Sequence, residues 1–206
     1  ANEFPNREKQ IKIIRHSKNQ GVGKSRQDGL DIASGEYIIH CDPDDWVEYN
    51  MYEKMYDAAK NNNADIVSSN FIIECPNGKY CDYIESYSTK ESLLHSLISN
   101  NWATLWRILI ISTIAKAVRF IPGVDAGEDY AYICTATSMA YNIYCLQDKL
   151  YHYNRANPSS IISTKNLEKS NQQAIATIEV EKILGEKFPA AIINRKMKIK
   201  NEMLKF

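Results

Sequence analysis

The stretch Gly35–Val47, GEYIIHCDPDDWV, joins an apolar run directly to an acidic cluster. Its apolar part, Tyr37–Cys41, is typical of a buried strand, and Pro43 ends it because proline cannot donate a ladder hydrogen bond. Further apolar runs at Ile11–His16 and Asp65–Ile73 are separated from it by helical patterns. This alternation predicts an α/β fold with a mostly parallel sheet and flanking helices.

The remaining patterns predict the rest of the secondary structure. Turn residues and capping residues mark several boundaries, among them a hairpin turn and a capped helix. The chain is expected to end in a helical extension. The predicted elements are helices at Ser25–Ala33, Val47–Lys60, Thr89–Ile98 (capped by Ser88 and Glu91), near Leu109 and at Ala126–Ala140; strands at Lys79–Ile84 (after the turn Pro76-Asn77-Gly78), Asn142–Leu146 and Leu150–Tyr153; and two helices from Leu167 onward, separated near Pro189.

Composition excludes some classes of protein. The 206 residues include 25 Lys and Arg against 25 Asp and Glu, and this lack of basic excess argues against a general nucleic-acid binder. No apolar run approaches the ~18–20 residues of a membrane-spanning helix. An odd number of cysteines without a C-x-x-C pair predicts neither a disulfide framework nor a zinc site, and favours a reduced, cytoplasmic compartment. The cysteines are Cys41, Cys75, Cys81, Cys134 and Cys145.

The acidic cluster is the sharpest chemical feature of the sequence. Asp42, Asp44 and Asp45 lie within four residues at the end of a predicted strand. A divalent cation would relieve the repulsion between such carboxylates, and hard oxygen ligands suit Mg²⁺ or Mn²⁺ when substrate phosphates complete the shell. The alternative is a solvated acidic loop that caps the next helix.

The segment Asn19–Leu30, NQGVGKSRQDGL, is rich in glycine but is not a P-loop, because Lys18 stands where that motif requires glycine. A turn that leads into a helix N-terminus, with Lys24 and Arg26 nearby, can hold an anion. It can equally be an ordinary strand-to-helix turn.

Two further candidates stand later in the chain. Glu128 and Asp129 open a predicted helix, where they could be an ordinary capping pair or could include a general base. His152 could be a metal ligand or a histidine at the edge of the core. Arg155 could hold a phosphate or pair with a surface carboxylate.

The order of these motifs carries more information than any one of them. Over about residues 11–165 it resembles the family 2 glycosyltransferases of the GT-A fold. The matching residues are Asn19-x-Gly21, Ser25-Arg26-Gln27-x-Gly29-Leu30, Ala33-x-Gly35-Glu36-Tyr37-Ile38, Asp42-x-Asp44-Asp45, Trp106-Arg107-Ile108-Leu109, Phe120 with Gly127-Glu128-Asp129, and Tyr151-x-Tyr153-x-Arg155 with Ser160-Ile161.

The resemblance implies an inverting, metal-dependent transferase that moves a sugar from a nucleotide-sugar, such as a UDP-sugar, to an acceptor hydroxyl. It assigns Asp129 as the catalytic base and Glu128 as the residue that supports it. The D-x-D element, Asp42 to Asp44, would face the donor diphosphate, with Mn²⁺ or Mg²⁺ held by Asp44 and Asp45. The expected donor-binding residues are Asp42, Asp44, Asp45, Arg26, Lys24 and Arg155.

The sequence also departs from the family. The family's processive members carry a Q-x-x-R-W motif, which is absent here, so a non-processive enzyme of surface polysaccharide or glycan synthesis is expected. The family's first βαβ unit is not seen before Ile11. We therefore expect a GT-A-like domain at residues 1–165 that lacks this unit, and a helical extension at 166–206. A nucleotidyltransferase of related architecture and a non-catalytic binding module remain the alternatives.

The tail adds one expectation about location. A basic stretch comprising Arg195, Lys196, Lys198, Lys200 and Lys205 is interspersed with apolar residues. Such a pattern can lie on anionic lipid at the inner face of the membrane, in keeping with a glycan or lipid-linked acceptor, or it can be a solvated helix that covers its own domain.

Overall fold

The computed structural model describes residues 10–75, 80–100, 102–155 and 166–206. Helices surround one mixed sheet. The elements in chain order are α1 (Val22–Ile32), β1 (Tyr37–Ile38), β2 (Trp46–Val47), α2 (Met51–Asn61), β3 (Ile66–Glu74), β4 (Tyr80–Tyr83), α3 (Lys90–Ser99), β5 (Ile108–Ile111), α4 (Ser112–Ala117), α5 (Glu128–Met139), β6 (Ile143–Asn154), α6 (Leu167–Leu184) and α7 (Pro189–Met203).

The six strands are ordered β1-β5-β3-β6-β2, with β4 paired to β3. The α/β class is confirmed, but the sheet is mixed rather than mostly parallel. Only β3 and β6 run parallel among the described strands; the other pairings are antiparallel. The difference follows from the connections: β3 reaches β6 through intervening helices, whereas β4 follows β3 too closely for a parallel crossover.

Three local predictions are wrong. Residues 11–16 are irregular rather than a strand, because no described strand offers them a ladder, and Ile13 is 71% exposed. The helix predicted near Leu109 is strand β5 followed by α4. Helix α3 is capped by Thr89 and Ser92, which hydrogen-bond each other's backbone N–H, and not by Ser88 and Glu91.

Other predicted elements are confirmed with small shifts. Strand β3, helix α5 and the pair α6 and α7 lie where the sequence predicts them, and β4 pairs back onto β3 as expected. The two strands predicted at 142–153 form one strand, β6, whose register against β3 shifts around Asn70. The predicted turn at 76–78 lies outside the described residues.

The sheet separates two cores because successive strand residues point to opposite faces. Ile66, Ile108 and Ile110 face one core, which contains α3, α5, α6 and α7. Val67 and Leu109 face the other, which contains α2 and the aromatic rings of β6. The central strands β3 and β5 are thus buried on both sides, as a three-layered α/β protein requires.

Helices α6 and α7 share the first core, to which Ala176, Val180 and Ile192 contribute buried side chains. The predicted domain boundary at 165/166 falls at the end of a segment outside the described residues.

The basic tail is partly engaged with the protein itself. Arg195 lies 3.5 Å from the Tyr130 ring centroid, Lys196 pairs with Glu181, and Lys198 donates to the Ser99 carbonyl. No helix in the described ranges combines the length and apolar character needed to cross a bilayer. Membrane contact by this tail stays a prediction.

Candidate active site

The first turn of helix α5 contains two of the predicted site residues, Glu128 and Asp129. Gly127 precedes it with φ 91°, a left-handed conformation that L side chains rarely adopt. A Cβ there would lie 3.2 Å from the Cβ of Ala176 on α6, so glycine also allows the close approach of the two helices. Glu128 and Asp129 follow at the positive end of the helix dipole, which favours carboxylates.

Arg26 on α1 joins these carboxylates to the acidic loop between β1 and β2. Its Nη1 donates to Glu128 Oε1 at 2.7 Å and to Asp129, and its Nη2 donates to Asp42 Oδ1 at 2.9 Å. Only 12% of the Arg26 side chain is exposed. Four of the predicted site residues, far apart in the sequence, therefore form one cluster, which we call the Arg26 cluster.

The cluster holds three carboxylates around one guanidinium, and burial makes this costly. Burial raises the pKa of Asp129; Arg26 and the Leu105 backbone N–H oppose this, whereas Glu128 and Asp42 add to it. Burial likewise raises the pKa of Glu128. Burial alone would lower the pKa of Arg26, but the three carboxylates outweigh it and keep the guanidinium charged. Asp129 is thus a carboxylate with raised proton affinity, as a general base requires.

The acidic loop is anchored to β6 through Tyr151 and Asn154. The Tyr151 hydroxyl accepts a hydrogen bond from the Asp42 backbone N–H at 3.2 Å and donates to Asp45 Oδ2 at 2.6 Å. The Asn154 backbone N–H donates to Asp45 Oδ1 at 2.8 Å, and its side chain donates to the Asp44 carbonyl at 3.1 Å. Burial raises the pKa of Asp45 against these hydrogen bonds. The Asp45 carboxylate consequently positions the loop.

The fit of a divalent cation depends on Asp42 and Asp44. Within the described ranges, no three His, Cys, Asp or Glu side chains converge as a metal site. Mg²⁺ in nucleotide sites, however, rests on one or two carboxylates with substrate phosphates completing its shell. Asp44 is exposed, and 31% of the Asp42 side chain remains accessible beside Arg26. These two hard-oxygen donors fit such a cation, whereas Asp45 is turned toward Tyr151 and Asn154.

Two predicted donor-binding residues lie outside the Arg26 cluster. Lys24 is exposed on α1 and pairs with Asp28 one turn later. Arg155 is exposed at the end of β6, beside the residue that holds the acidic loop, and its backbone N–H donates to the Glu74 carbonyl at 2.9 Å. Ser160 and Ile161, which belong to the same motif, lie outside the described residues.

A carboxylate of the protein itself, that of Asp125, occupies the helix N-terminus in the glycine-rich segment. The Asp125 carboxylate accepts the Gly23 backbone N–H at 2.9 Å, at the N-terminus of α1. A Cβ on Gly21, whose φ is 87°, would lie 2.1 Å from an Asp125 oxygen. This helix N-terminus is therefore capped by a distant loop.

Sequence reasoning missed three supporting residues. Tyr151 and Asn154 lie within the Y-x-Y-x-R motif, but only their pairing with the acidic loop reveals their role. His40 had no distinguishing signal; it packs edge-on against Phe120 and Tyr132, and burial, with the charge of Arg26, lowers its pKa to about 4. A neutral imidazole thus precedes the acidic loop.

Two named bacterial proteins are similar in sequence to this chain. EpsH of Bacillus subtilis is 29% identical over 172 residues, covering 79% of this chain and 49% of EpsH. Cholesterol galactosyltransferase of Borreliella burgdorferi is 47% identical over 73 residues, covering 35% of this chain and 20% of that protein. The chain therefore spans at most about half the length of these relatives.

Solved structures show the same fold. Staphylococcus aureus TarS 1-349 in complex with UDP-GlcNAc matches with a TM-score of 0.69 at 15% identity, over all of this chain and 59% of TarS. The expected GT-A class is thereby confirmed. The sequence model described as Glycosyl transferase family 2 matches residues 1–118, more than half of the chain. The chain belongs to glycosyl transferase family 2.

Proposed function

We propose that the chain carries the transfer centre of a glycosyltransferase that moves a sugar from a nucleoside-diphosphate sugar to an acceptor hydroxyl with inversion. The observation that carries this proposal is the Arg26 cluster, in which one guanidinium links the carboxylate pair of α5 to the acidic loop. The proposed proton acceptor and the loop proposed to face the donor phosphates thus lie side by side.

Asp129 is the proposed base. It takes the proton of the acceptor hydroxyl while the oxygen bonds to the anomeric carbon, and the bond from that carbon to the diphosphate oxygen breaks with its electrons going to the diphosphate. A single displacement of this kind inverts the anomeric configuration. The raised pKa of Asp129 makes it a stronger base than an exposed aspartate, and Glu128 beside it shares the hydrogen bond of Arg26 that orients the pair.

The donor diphosphate is proposed to lie at the acidic loop. Asp42 and Asp44 would hold Mn²⁺ or Mg²⁺ there, and a bound cation supplies neutralisation of the negative charge that builds on the leaving diphosphate. The matched TarS complex holds UDP-GlcNAc, which supports a UDP-sugar as donor. Arg26 moderates the repulsion between Asp42 and the α5 carboxylates, so the loop is held in place before the donor arrives.

The acceptor class is proposed to be a glycan or a lipid-linked glycan, in surface polysaccharide or glycan synthesis. One of the named relatives, the cholesterol galactosyltransferase, is named for a different acceptor.

The test is UDP release from UDP-glucose, UDP-galactose and UDP-N-acetylglucosamine, with and without Mn²⁺. We expect release from at least one donor in the presence of Mn²⁺. Asp44→Asn should raise the Mn²⁺ concentration needed for half-maximal activation by about tenfold or more. Asp57→Asn, an exposed aspartate on α2, is the matched control and should leave it unchanged.

The outcomes separate the parts of the proposal. Equal UDP release with Mn²⁺ and with EDTA would contradict the metal requirement and would still support the proposed transferase activity. Binding of UDP by calorimetry without turnover of any donor would favour a non-catalytic module. Pyrophosphate release from a nucleoside triphosphate would indicate a nucleotidyltransferase.

A further inference from the structure

His152 on β6 lies between two carboxylates that come from different parts of the sheet. Its Nε2 is 3.0 Å from Glu48 Oε1, in the segment after β2, and its Nδ1 is 2.9 Å from Glu74 Oε1, at the end of β3. Only 14% of its side chain is exposed. The sequence suggested a metal ligand or a histidine at the edge of the core, whereas the structure shows a ring that bridges two carboxylates. We call these three side chains the His152 clamp.

The contacts of the clamp define the protonation state of its ring. An ionised carboxylate can only accept hydrogen bonds, and a neutral imidazole has a single N–H to donate. Both contacts are therefore satisfied at once only by the doubly protonated imidazolium. Burial opposes that charge, but the hydrogen bonds and the charges of Glu74 and Glu48 outweigh it, so the pKa of His152 is raised.

The other titratable groups of β6 near His152 lie on the opposite face of the sheet, because successive strand residues alternate. Tyr151 donates to Asp45 on that face, and Tyr153 packs there in the second core. On the face of His152, the charged groups that meet the ring are Glu48 and Glu74. Strand β2 adds the uncharged ring of Trp46.

The clamp fixes a short strand at the edge of the sheet. Among the described strands, β2 lies at one end of the order and consists of Trp46 and Val47, which pair with His152 and Tyr151. The Trp46 indole stacks on the His152 ring, with centroids 5.3 Å apart and planes at 16°. A cation over an indole face is attracted to it, so the imidazolium also fixes Trp46.

Trp46 connects the clamp to the candidate active site. It directly follows Asp45, the last carboxylate of the acidic loop. Tyr151 and Asn154 hold Asp45 itself, whereas the clamp holds the strand into which the loop continues. Loss of the clamp would therefore loosen one end of the loop without changing any group that faces the donor.

We propose that His152 is a positioning residue, which holds the acidic loop while its ring bridges Glu48 and Glu74 and partly releases the loop when the ring loses a proton. This inference rests on the proposed function, which assigns the loop to the donor diphosphate, and it adds a pH dependence to donor binding. Below the raised pKa, the imidazolium donates to both carboxylates. As pH rises through that pKa, one ring nitrogen releases its proton to solvent and one carboxylate loses its donor.

The first measurement is the ionisation of His152 itself. Histidine ring resonances of the full chain are followed by NMR during a pH titration without ligand, and His152→Gln identifies the resonance by its loss. We expect His152 to titrate above the ordinary histidine range. Glu74→Gln, which removes one carboxylate charge, should lower the midpoint. A midpoint that Glu74→Gln leaves unchanged would overturn the clamp.

The second measurement is the binding of UDP with Mn²⁺, by calorimetry from about pH 6 to about pH 9. The ratio of wild-type affinity to His152→Gln affinity cancels the ionisation of UDP. We expect a ratio of about fivefold at the acid end, which falls toward one as His152 loses its proton. The effect is limited because Tyr151 and Asn154 also hold the loop.

Glu48→Gln separates the bridge from its charge. The new amide can donate to Nε2 of a neutral ring while Nδ1–H donates to Glu74, so the bridge no longer needs the second proton. This variant should keep the acid-end affinity over the whole range. The matched control is His95→Gln, at an exposed histidine on α3, which should follow the wild type at every pH.

Two binding results would overturn the proposal: a ratio that is independent of pH, and a Glu48→Gln variant that keeps the pH dependence of the wild type. Thermal unfolding at each pH shows whether a loss reflects the fold, and Glu48→Gln decides the question if His152→Gln does not fold. Absence of UDP binding by the wild type at every pH would overturn the proposed function together with this inference. UDP binding with a constant ratio would overturn the role of His152 alone.

Discussion

Helices α1 and α5 begin in the same way but use their N-termini differently. Each follows a glycine with positive φ, 87° at Gly21 and 91° at Gly127, and neither glycine offers a side-chain cap. The N-terminus of α1 is occupied by Asp125, which belongs to a distant loop. The first turn of α5 contains Glu128 and Asp129, which face Arg26 of α1.

The two helix N-termini therefore differ in the role of their carboxylates: Asp125 has a structural role, whereas Asp129 is a candidate for a role in catalysis. Asp125 meets a free amide and so satisfies the helix end. Asp129 shares a single guanidinium with two other carboxylates in a buried setting, which raises its pKa. The same attraction of helix N-termini for carboxylates thus produces a cap in one place and a candidate base in the other.

The largest expected effect comes from neutralising the candidate base. Asp129→Asn should lower kcat for sugar transfer by roughly 10²–10⁴-fold, because the amide cannot accept the acceptor proton. Asp125→Asn makes the same chemical change four residues earlier and should alter kcat by only a few fold. The measurement is UDP release under saturating donor, with circular dichroism to confirm folding. Equal losses in both variants would contradict the distinction between the two carboxylates.

Removal of the shared guanidinium is the next test. Arg26→Gln leaves buried carboxylates without their partner, and should reduce the free energy of unfolding by about 3–5 kcal/mol. Because the charge of Arg26 opposes the rise in the pKa of Asp129, its loss should raise that pKa further. The acid limb of the kcat/KM profile should therefore move to higher pH. Arg119→Gln, at an exposed pair with Asp31, is the control and should move neither quantity appreciably. An unshifted acid limb in Arg26→Gln would argue against Asp129 as the base.

Substitution of the two glycines, Gly21 and Gly127, tests the same comparison through the backbone. Gly127→Ala should destabilise the fold by roughly 1–3 kcal/mol, because it forces a side chain into the left-handed region against α6. Gly21→Ala should cost more, since its Cβ would also displace Asp125 from the N-terminus of α1. The matched control is Gly29→Ala in α1, whose Cβ meets nothing within 4 Å and should stabilise by about 0.5–1 kcal/mol. Chemical denaturation measures all three, and a neutral Gly21→Ala would show that the Asp125 contact is dispensable.

The last prediction concerns the pH dependence of stability. The pKa of Asp129 is higher in the folded protein than its ordinary value, so the folded state binds more protons between the two values. The contribution of Asp129 to the free energy of unfolding should therefore be greatest below the ordinary aspartate pKa and fall as pH rises through the raised one. The difference in unfolding free energy between wild type and Asp129→Asn isolates this contribution. A difference that is independent of pH over this range would contradict the burial of Asp129.

Much of the candidate site could be predicted from residue order. The motif containing Asp42 and Asp44 and the one containing Glu128 and Asp129 were recognisable because they stand along the chain in the order that family 2 glycosyltransferases show. The partner of Arg26 was not predictable: the sequence suggested a nucleotide, whereas the structure places the guanidinium on three carboxylates. Nothing local in the sequence distinguishes these partners.

Whether a segment forms a strand was the least predictable feature of the fold. The apolar run at 11–16 has the composition of a strand, but a strand exists only where a neighbour supplies a ladder. The two-residue strand β2 had no signal of its own, and it forms because Trp46 and Val47 pair with His152 and Tyr151 of β6.

By itself, the sequence determined the α/β class, the family motifs in their order and most helix positions. Such features depend on apolar periodicity and on capping within a few residues, which are legible along the chain. Only the tertiary structure decided the mixed sheet, the capping of α1 by Asp125, the anchoring of Asp45 by Tyr151 and the gathering of carboxylates around Arg26. These contacts join residues about a hundred positions apart, so they depend on how whole elements pack and not on the residues nearby.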